Sequence, residues 1–164
     1  MVVKLKIKKE RNLKMKIFKI HYRKDLKNSC KYVGGDSVGE ALSRFNKENK
    51  NMLSYITDID TIEVGSGASY GIGSDCYPYT IVGIVNERTV VVQADRYEPD
   101  TENGYDYYGN QVYRYYPDQN GERTTVTLRK NGMWLPVGST ISRGGCYAYG
   151  YSLGHRRAYR NPSF

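Results

Sequence analysis

No run of about eighteen apolar residues occurs anywhere in the chain, so the sequence holds no candidate for a membrane-spanning helix. The opening Met1-Val-Val-Lys-Leu-Lys-Ile-Lys-Lys alternates lysine with apolar residues. It has no continuous apolar core and no small-residue cleavage site, so a secretory signal is not expected. Cysteine is sparse: Cys30, Cys76 and Cys146 stand far apart, odd in number and without C-x-x-C spacing. That pattern disfavours a disulfide scaffold or a zinc site and suits free thiols in a reducing compartment. Histidine is sparser still. His21 and His155 have no cysteine, histidine or acid beside them at ligand or triad spacing, whereas an enzyme needs a nucleophile, an acid/base pair or a metal. Asp75 and Asp95 remain as carboxylates, but Asp75 precedes a Tyr-Pro turn and reads as its cap. No catalytic residue, metal or cofactor is expected, and the chain reads as a binder before an enzyme.

Tyrosine is what the chain has in abundance. Fourteen of its seventeen tyrosines, with its single tryptophan, fall in residues 65–164. Tyrosine joins a large apolar face to a hydrogen-bonding hydroxyl on one stiff side chain. A β framework so rich in it suits holding a flat ligand or another chain. Charge is divided as unevenly as aromaticity. Residues 1–32 carry twelve Lys and Arg against Glu10 and Asp25, while the remaining 132 residues carry thirteen basic and fifteen acidic side chains. The basicity therefore belongs to the N-terminal segment. It fits either a polyanion partner or a lysine-rich strand that resists aggregation.

Two regions emerge along the chain, 1–64 and 65–164. Leu13 to Tyr22 alternates as a strand, with a bulge where the apolar parity slips from Met15 and Ile17 to Phe18, Ile20 and Tyr22. A polar turn at Asp25 to Asn28 and a return strand at Ser29 to Val33 complete a hairpin. Ser37-Val-Gly-Glu40 is a capping box, followed by Val38, Ala41, Leu42 and Phe45 at helical spacing. The helix is expected from Val38 to about Lys50, with a further strand in Leu53 to Val64. The first region is thus a basic β-β-α-β module.

Glycines from Gly65 to Gly73 read as a flexible joint; they lack the following helix that a phosphate-binding loop requires. Beyond them come short aromatic strands. Thr80–Val85 and Thr89–Gln93 form a hairpin, Asp95–Tyr108 an acidic loop, and Gln111–Tyr116, Thr124–Arg129, Met133–Leu135 and Tyr147–Leu153 further strands. Strands at this spacing predict a small, SH3-like barrel. The expected class is α+β, a β-β-α-β unit followed by a β-rich barrel.

Four segments carry a resemblance: Ser74-Asp-Cys-Tyr-Pro-Tyr-Thr-Ile-Val82, Gln93-Ala-Asp-Arg96, Thr127-Leu-Arg-Lys-Asn-Gly-Met-Trp134 and Leu153-Gly-His-Arg-Arg-Ala-Tyr-Arg-Asn-Pro-Ser-Phe164. Over roughly ninety residues the C-terminal region resembles a family of short proteins from tailed phages and prophages, the last segment being the most specific. A looser resemblance is to the phage anti-defence "sponge" proteins that sequester the cyclic ADP-ribose signals of Thoeris immunity. Those proteins combine short helices with a β-rich part and assemble as dimers and higher oligomers. The resemblance implies a counter-defence protein of the infected host's cytoplasm, a homo-oligomer that binds a cyclic nucleotide-type signal or a host defence protein. It aligns Arg96 and Asn131 with a ligand-contacting arginine and asparagine, with Arg156 and Arg157 next.

The residues themselves give the chemistry such a site needs: a stacking face, a cation for phosphate and an amide for the base edge. Trp134 offers the first, Arg96, Arg156 and Arg157 the second, Asn131 the third. Trp134 equally reads as barrel core, and Asn131 as a turn residue chosen for a left-handed backbone. In the competing reading the chain is a nucleic-acid module, with Lys14, Lys16 and Lys19 on phosphates and exposed tyrosines on unpaired bases. A third has Tyr105, Tyr107 and Tyr108 anchoring a protein partner, where tyrosine and arginine are typical hot spots.

Overall fold

A computed structural model of the chain describes residues 15–139 and 150–160. Its first strands, β1 (Lys16–Lys24) and β2 (Lys27–Gly35), form an antiparallel hairpin. The connection is tighter than the sequence suggests. Only Asp25 and Leu26 lie outside the strands, both at positive φ (49° and 62°), the two-residue geometry that matches strand twist. Helix α1 (Val38–Glu48) starts as the capping box requires, with the Ser37 hydroxyl accepting from the Glu40 N–H at 3.2 Å. The Glu40 carboxylate accepts from Asp36 N–H at 2.9 Å, one residue before the cap itself. Ala41 and Phe45 are buried, whereas Val38 is exposed. A single 3-10 turn (Leu53–Tyr55) leads into β3 (Ile56–Ile62), which pairs with β1 to give the order β2-β1-β3. The β1–β3 register shifts between His21 and Tyr22, four residues beyond the expected bulge at Ile17–Phe18, where pairing to both neighbours is regular.

The β-rich remainder closes on itself. Strands β4 (Gly67–Ile72), β5 (Asp75–Asn86) and β6 (Thr89–Ala94) run as an antiparallel meander. The chain then leaves the barrel as a separate hairpin, β7 (Arg96–Pro99) and β8 (Tyr113–Tyr116). It returns through β9 (Arg123–Leu128), β10 (Trp134–Pro136) and β11 (Gly150–Leu153). The six-stranded barrel closes in the order β10-β11-β4-β5-β6-β9, and closure removes the exposed strand edges that invite aggregation.

Alternation along β1 decides how the two regions meet. Phe18 and Ile20 face α1, in a cluster with Val33, Ala41 and Phe45. Ile17 and its cross-strand partner Ile62 face the other way, into the barrel cluster of Ala68, Ile81, Val90, Val92, Val126, Trp134 and Leu153. The three-stranded sheet is therefore sandwiched between helix and barrel, and the apolar core runs across residue 64. Full burial of each such isoleucine contributes about 1.5–3 kcal/mol.

The glycine-rich stretch is not a flexible joint. Gly65 N–H donates to Ile81 carbonyl and Ile81 N–H to Ser66 carbonyl, each at 2.8 Å, and Gly67, Ala68 and Ser69 are buried in β4. At Gly67 the reason for glycine is space: a Cβ there would sit 2.8 Å from both the Cγ and the backbone nitrogen of Arg156.

Candidate binding surface

The chain beyond β11 runs back over the barrel as a strap. Gly154 N–H donates to Gly67 carbonyl at 2.9 Å, and the Ser69 hydroxyl donates to His155 carbonyl at 2.8 Å. Arg156 then turns inward. Its Nε donates to Asp95 Oδ2 at 2.8 Å and its Nη2 to Thr80 Oγ1 at 2.7 Å, while that hydroxyl donates to Asp95 Oδ1 at 2.7 Å. The Asp95 side chain is 0% exposed. Further along, Ala158 N–H donates to the Tyr115 hydroxyl, and Tyr159 and Cys76 exchange backbone hydrogen bonds at 2.9 and 3.0 Å. The strap ties the barrel to the β7–β8 hairpin. Arg156 is thus held by the protein's own buried carboxylate, and Arg157 beside it is exposed.

Neighbouring strands position the other proposed ligand groups far from one another. Trp134 is 1% exposed, inside the barrel, with Tyr32 edge-on to its ring at a centroid distance of 5.4 Å. It offers no face to solvent. Asn131 sits in the β9–β10 turn, where its Oδ1 accepts from Met133 N–H at 3.2 Å. The left-handed residue of that turn is Gly132, at φ 83°, rather than Asn131. Arg96 lies at the start of β7, largely exposed and 3.8 Å from Asp118. It lines a shallow depression of about 590 Å³ with Asp95, Tyr97, Glu98 and Tyr116. The Asn131 turn adjoins Arg88, just before β6 (Leu128 N–H donates to Arg88 carbonyl), while Arg96 follows the far end of β6. A six-residue strand spans about 20 Å, so a single chain does not bring Asn131 and Arg96 together. It does bring Arg96 and Arg156 to Asp95.

The lysines divide likewise. Lys16 pairs with Glu63 at 3.1 Å. Lys19 is buried on the sheet's barrel-facing side, its Nζ 5.9 Å from the centre of the Tyr32 ring. Lys14 lies outside the described residues.

What the sequence reads as an acidic loop is an ordered arm. Above the β7–β8 pairing, the buried Asp100 carboxylate accepts from the backbone N–H groups of Glu102 and Asn103 at 3.0 and 3.2 Å. It also accepts from the Asn103 amide at 2.7 Å and pairs with Arg114 at 3.0 Å. The Asn103 amide foremost, with Arg114 behind it, holds this carboxyl down at about 2. Asp106 repeats the device one step higher. Its carboxylate accepts from Tyr108 and Asn110 N–H at 2.9 and 2.8 Å and lies below the usual carboxylate range, chiefly through the Asn110 side chain. Edge-to-face packing of Tyr97 on Tyr113 (5.6 Å) stiffens the stem. On the tip stand Tyr105, Tyr107 and Tyr108, which are 70%, 95% and 84% exposed.

Sequence reasoning found these tyrosines but not the two aspartates that set them. The signal was present in Asp100-x-x-Asn103 and Asp106-x-x-x-Asn110, the spacing by which aspartate side chains close turns on the backbone ahead of them. Among the described residues, no three His, Cys, Asp or Glu side chains gather as a metal site, and no helix is long and apolar enough to cross a membrane. No family model matches the chain, and no curated protein or solved structure matches it.

Proposed function

We propose that this chain is a phage-encoded, non-enzymatic counter-defence protein that blocks a host defence protein by docking the tyrosine tip of its arm. The observation that carries this reading is three highly exposed tyrosines on a loop pre-ordered by Asp100 and Asp106. Exposed aromatic surface normally costs solubility, and tyrosine is the residue that anchors interfaces at low entropic cost, having only two side-chain torsions. A tip already ordered before contact lowers the cost of binding further. The arm also carries Glu98, Glu102 and Asp106 at its surface. The partner surface it fits is therefore basic, as on a protein that itself handles nucleic acid.

The same arm disfavours the nucleic-acid alternative, because those carboxylates would face a phosphate backbone and because Lys16 and Lys19 are engaged within the fold. Sequestering a nucleotide signal through Arg96 and Asn131 together would require a site shared between copies, and a strictly monomeric mass in solution would count against it.

Photo-crosslinking tests the arm directly. A benzophenone amino acid at Tyr107 is expected to give one dominant adduct with a protein of the bacterial host, and the same probe at exposed Tyr55 is expected to give none. Equal labelling from both positions would count against the reading.

A further inference from the structure

A groove of about 450 Å³ lies at the opposite end of the barrel from the arm, where α1, the outer strand β2 and two barrel turns meet. Five cations line it, Lys31, Arg44, Arg88, Arg129 and Lys130, against the carboxylates of Glu48 and Glu87. Both carboxylates are already matched: Lys31 pairs with Glu48, and Arg44 with Glu87 at 3.1 Å. The other three cations have no carboxylate within ion-pair distance among the described residues. Gly34 fixes this wall, since a Cβ there would lie 2.4 Å from Glu87 Cβ.

Two of the unmatched groups are held rigidly by backbone carbonyls rather than by counter-ions. Arg88 Nη2 donates to Leu128 carbonyl at 2.8 Å, and Arg129 Nη2 donates to Pro136 and Ser139 carbonyls at 3.0 and 3.3 Å. The Arg129 Nε is buried and has no acceptor among the described residues. A guanidinium carries five donors in a fixed fork. Anchoring it through one nitrogen, without neutralising it, leaves a preorganised positive charge with donors to spare, the arrangement that binds phosphate in pairs of parallel hydrogen bonds. At the rim, Asn131 uses its Oδ1 on Met133 N–H, so its NH₂ is the group presented to a ligand.

We infer that this groove is a binding site for a compact phosphate-bearing small molecule, with Arg88 and Arg129 as its phosphate ligands, Lys130 adding charge and Asn131 at the rim. The volume falls in the range of small-molecule sites, roughly 300–1,000 Å³. Glu48 and Glu87 on the facing wall favour a compact anion over a long polyanion. The site is independent of the arm.

Isothermal titration of the full chain with inorganic pyrophosphate tests it. Saturable binding of one anion per chain is expected. Arg88→Gln and Arg129→Gln should each weaken it about tenfold or more, as loss of a charged hydrogen bond does. Arg129→Lys should not restore it, and Tyr107→Ser should leave it unchanged. Because Arg88 is exposed, its variant reads binding even if Arg129→Gln fails to fold. Absence of saturable heat, or equal affinity in Arg88→Gln and wild type, overturns the proposal. So does a loss as large on neutralising exposed Arg123, at the opposite end of β9 from the groove, which would mark diffuse attraction to net positive charge.

Discussion

Tyrosines of the barrel and tyrosines of the arm have the same side chain and opposite surroundings. Tyr70, Tyr79 and Tyr151 pack on one another with ring centroids 4.6–6.5 Å apart. Burial pushes the phenols of Tyr79 and Tyr151 up, so they stay protonated as hydrogen-bonding members of the core. Tyr107 and Tyr108 touch edge-to-face at 5.4 Å but leave most of their surface in solvent. In the barrel the ring is what matters and the hydroxyl is accommodated. On the arm, buried Asp100 and exposed Asp106 hold the backbone so that the rings need not be buried. Ordering has been separated from burial, and that separation leaves a rigid aromatic surface available to another molecule.

The largest effect that sharpens this contrast is expected inside the barrel. Trp134→Ala should cost about 3–5 kcal/mol, the usual range for emptying a buried aromatic site, and should drop the urea midpoint sharply. If Trp134 were instead a ligand platform, stability would barely move. Arg156→Ala comes next. It strands the Asp95 carboxylate without its cation, and breaking a buried pair in this way costs about 3 kcal/mol. Arg157→Ala at the exposed neighbouring position should stay within about 0.5 kcal/mol. Equal effects from the two arginines would show that the strap is not held as described.

Fold and site were not equally legible in the sequence. The capped helix, the first hairpin and the closed β-rich region follow from local periodicity and turn residues, which is why they could be read from single segments. Lys19 could not. Lysine alternating with apolar residues ordinarily marks a strand with one wet face, but β1 is the central strand between a helix and a barrel, and Lys19 lies under Tyr32. Arg156 was hidden for a different reason, since its acid stands sixty-one residues away and the pairing exists only once the barrel has closed. Gly67 was misleading because its role is to admit the strap, which no neighbouring residue reveals.

On the arm, smaller and more local effects are expected. Asp100→Ala should speed amide exchange at Glu102 and Asn103 while leaving the global unfolding midpoint nearly unchanged; a cooperative loss of the whole fold would erase the distinction between arm and barrel. The pH dependence has a definite sign. Because Asp100 in the fold is held down at about 2, below the ordinary aspartate value of 3.8, its contribution is complete above about pH 4. It is lost as pH falls toward 2. Protection at Asn103 should fade across that window, before the barrel unfolds.

The smallest expected change in stability belongs to the tip, and it coincides with the largest expected change in binding. The most direct test is to replace Tyr105, Tyr107 and Tyr108 together with serine and measure, in one preparation, thermal unfolding and capture of the host protein crosslinked through position 107. An unfolding midpoint like that of wild type, with capture reduced at least tenfold, about 1.4 kcal/mol, is the predicted result. Undiminished capture, or destabilisation as large as that of Trp134→Ala, would contradict the account.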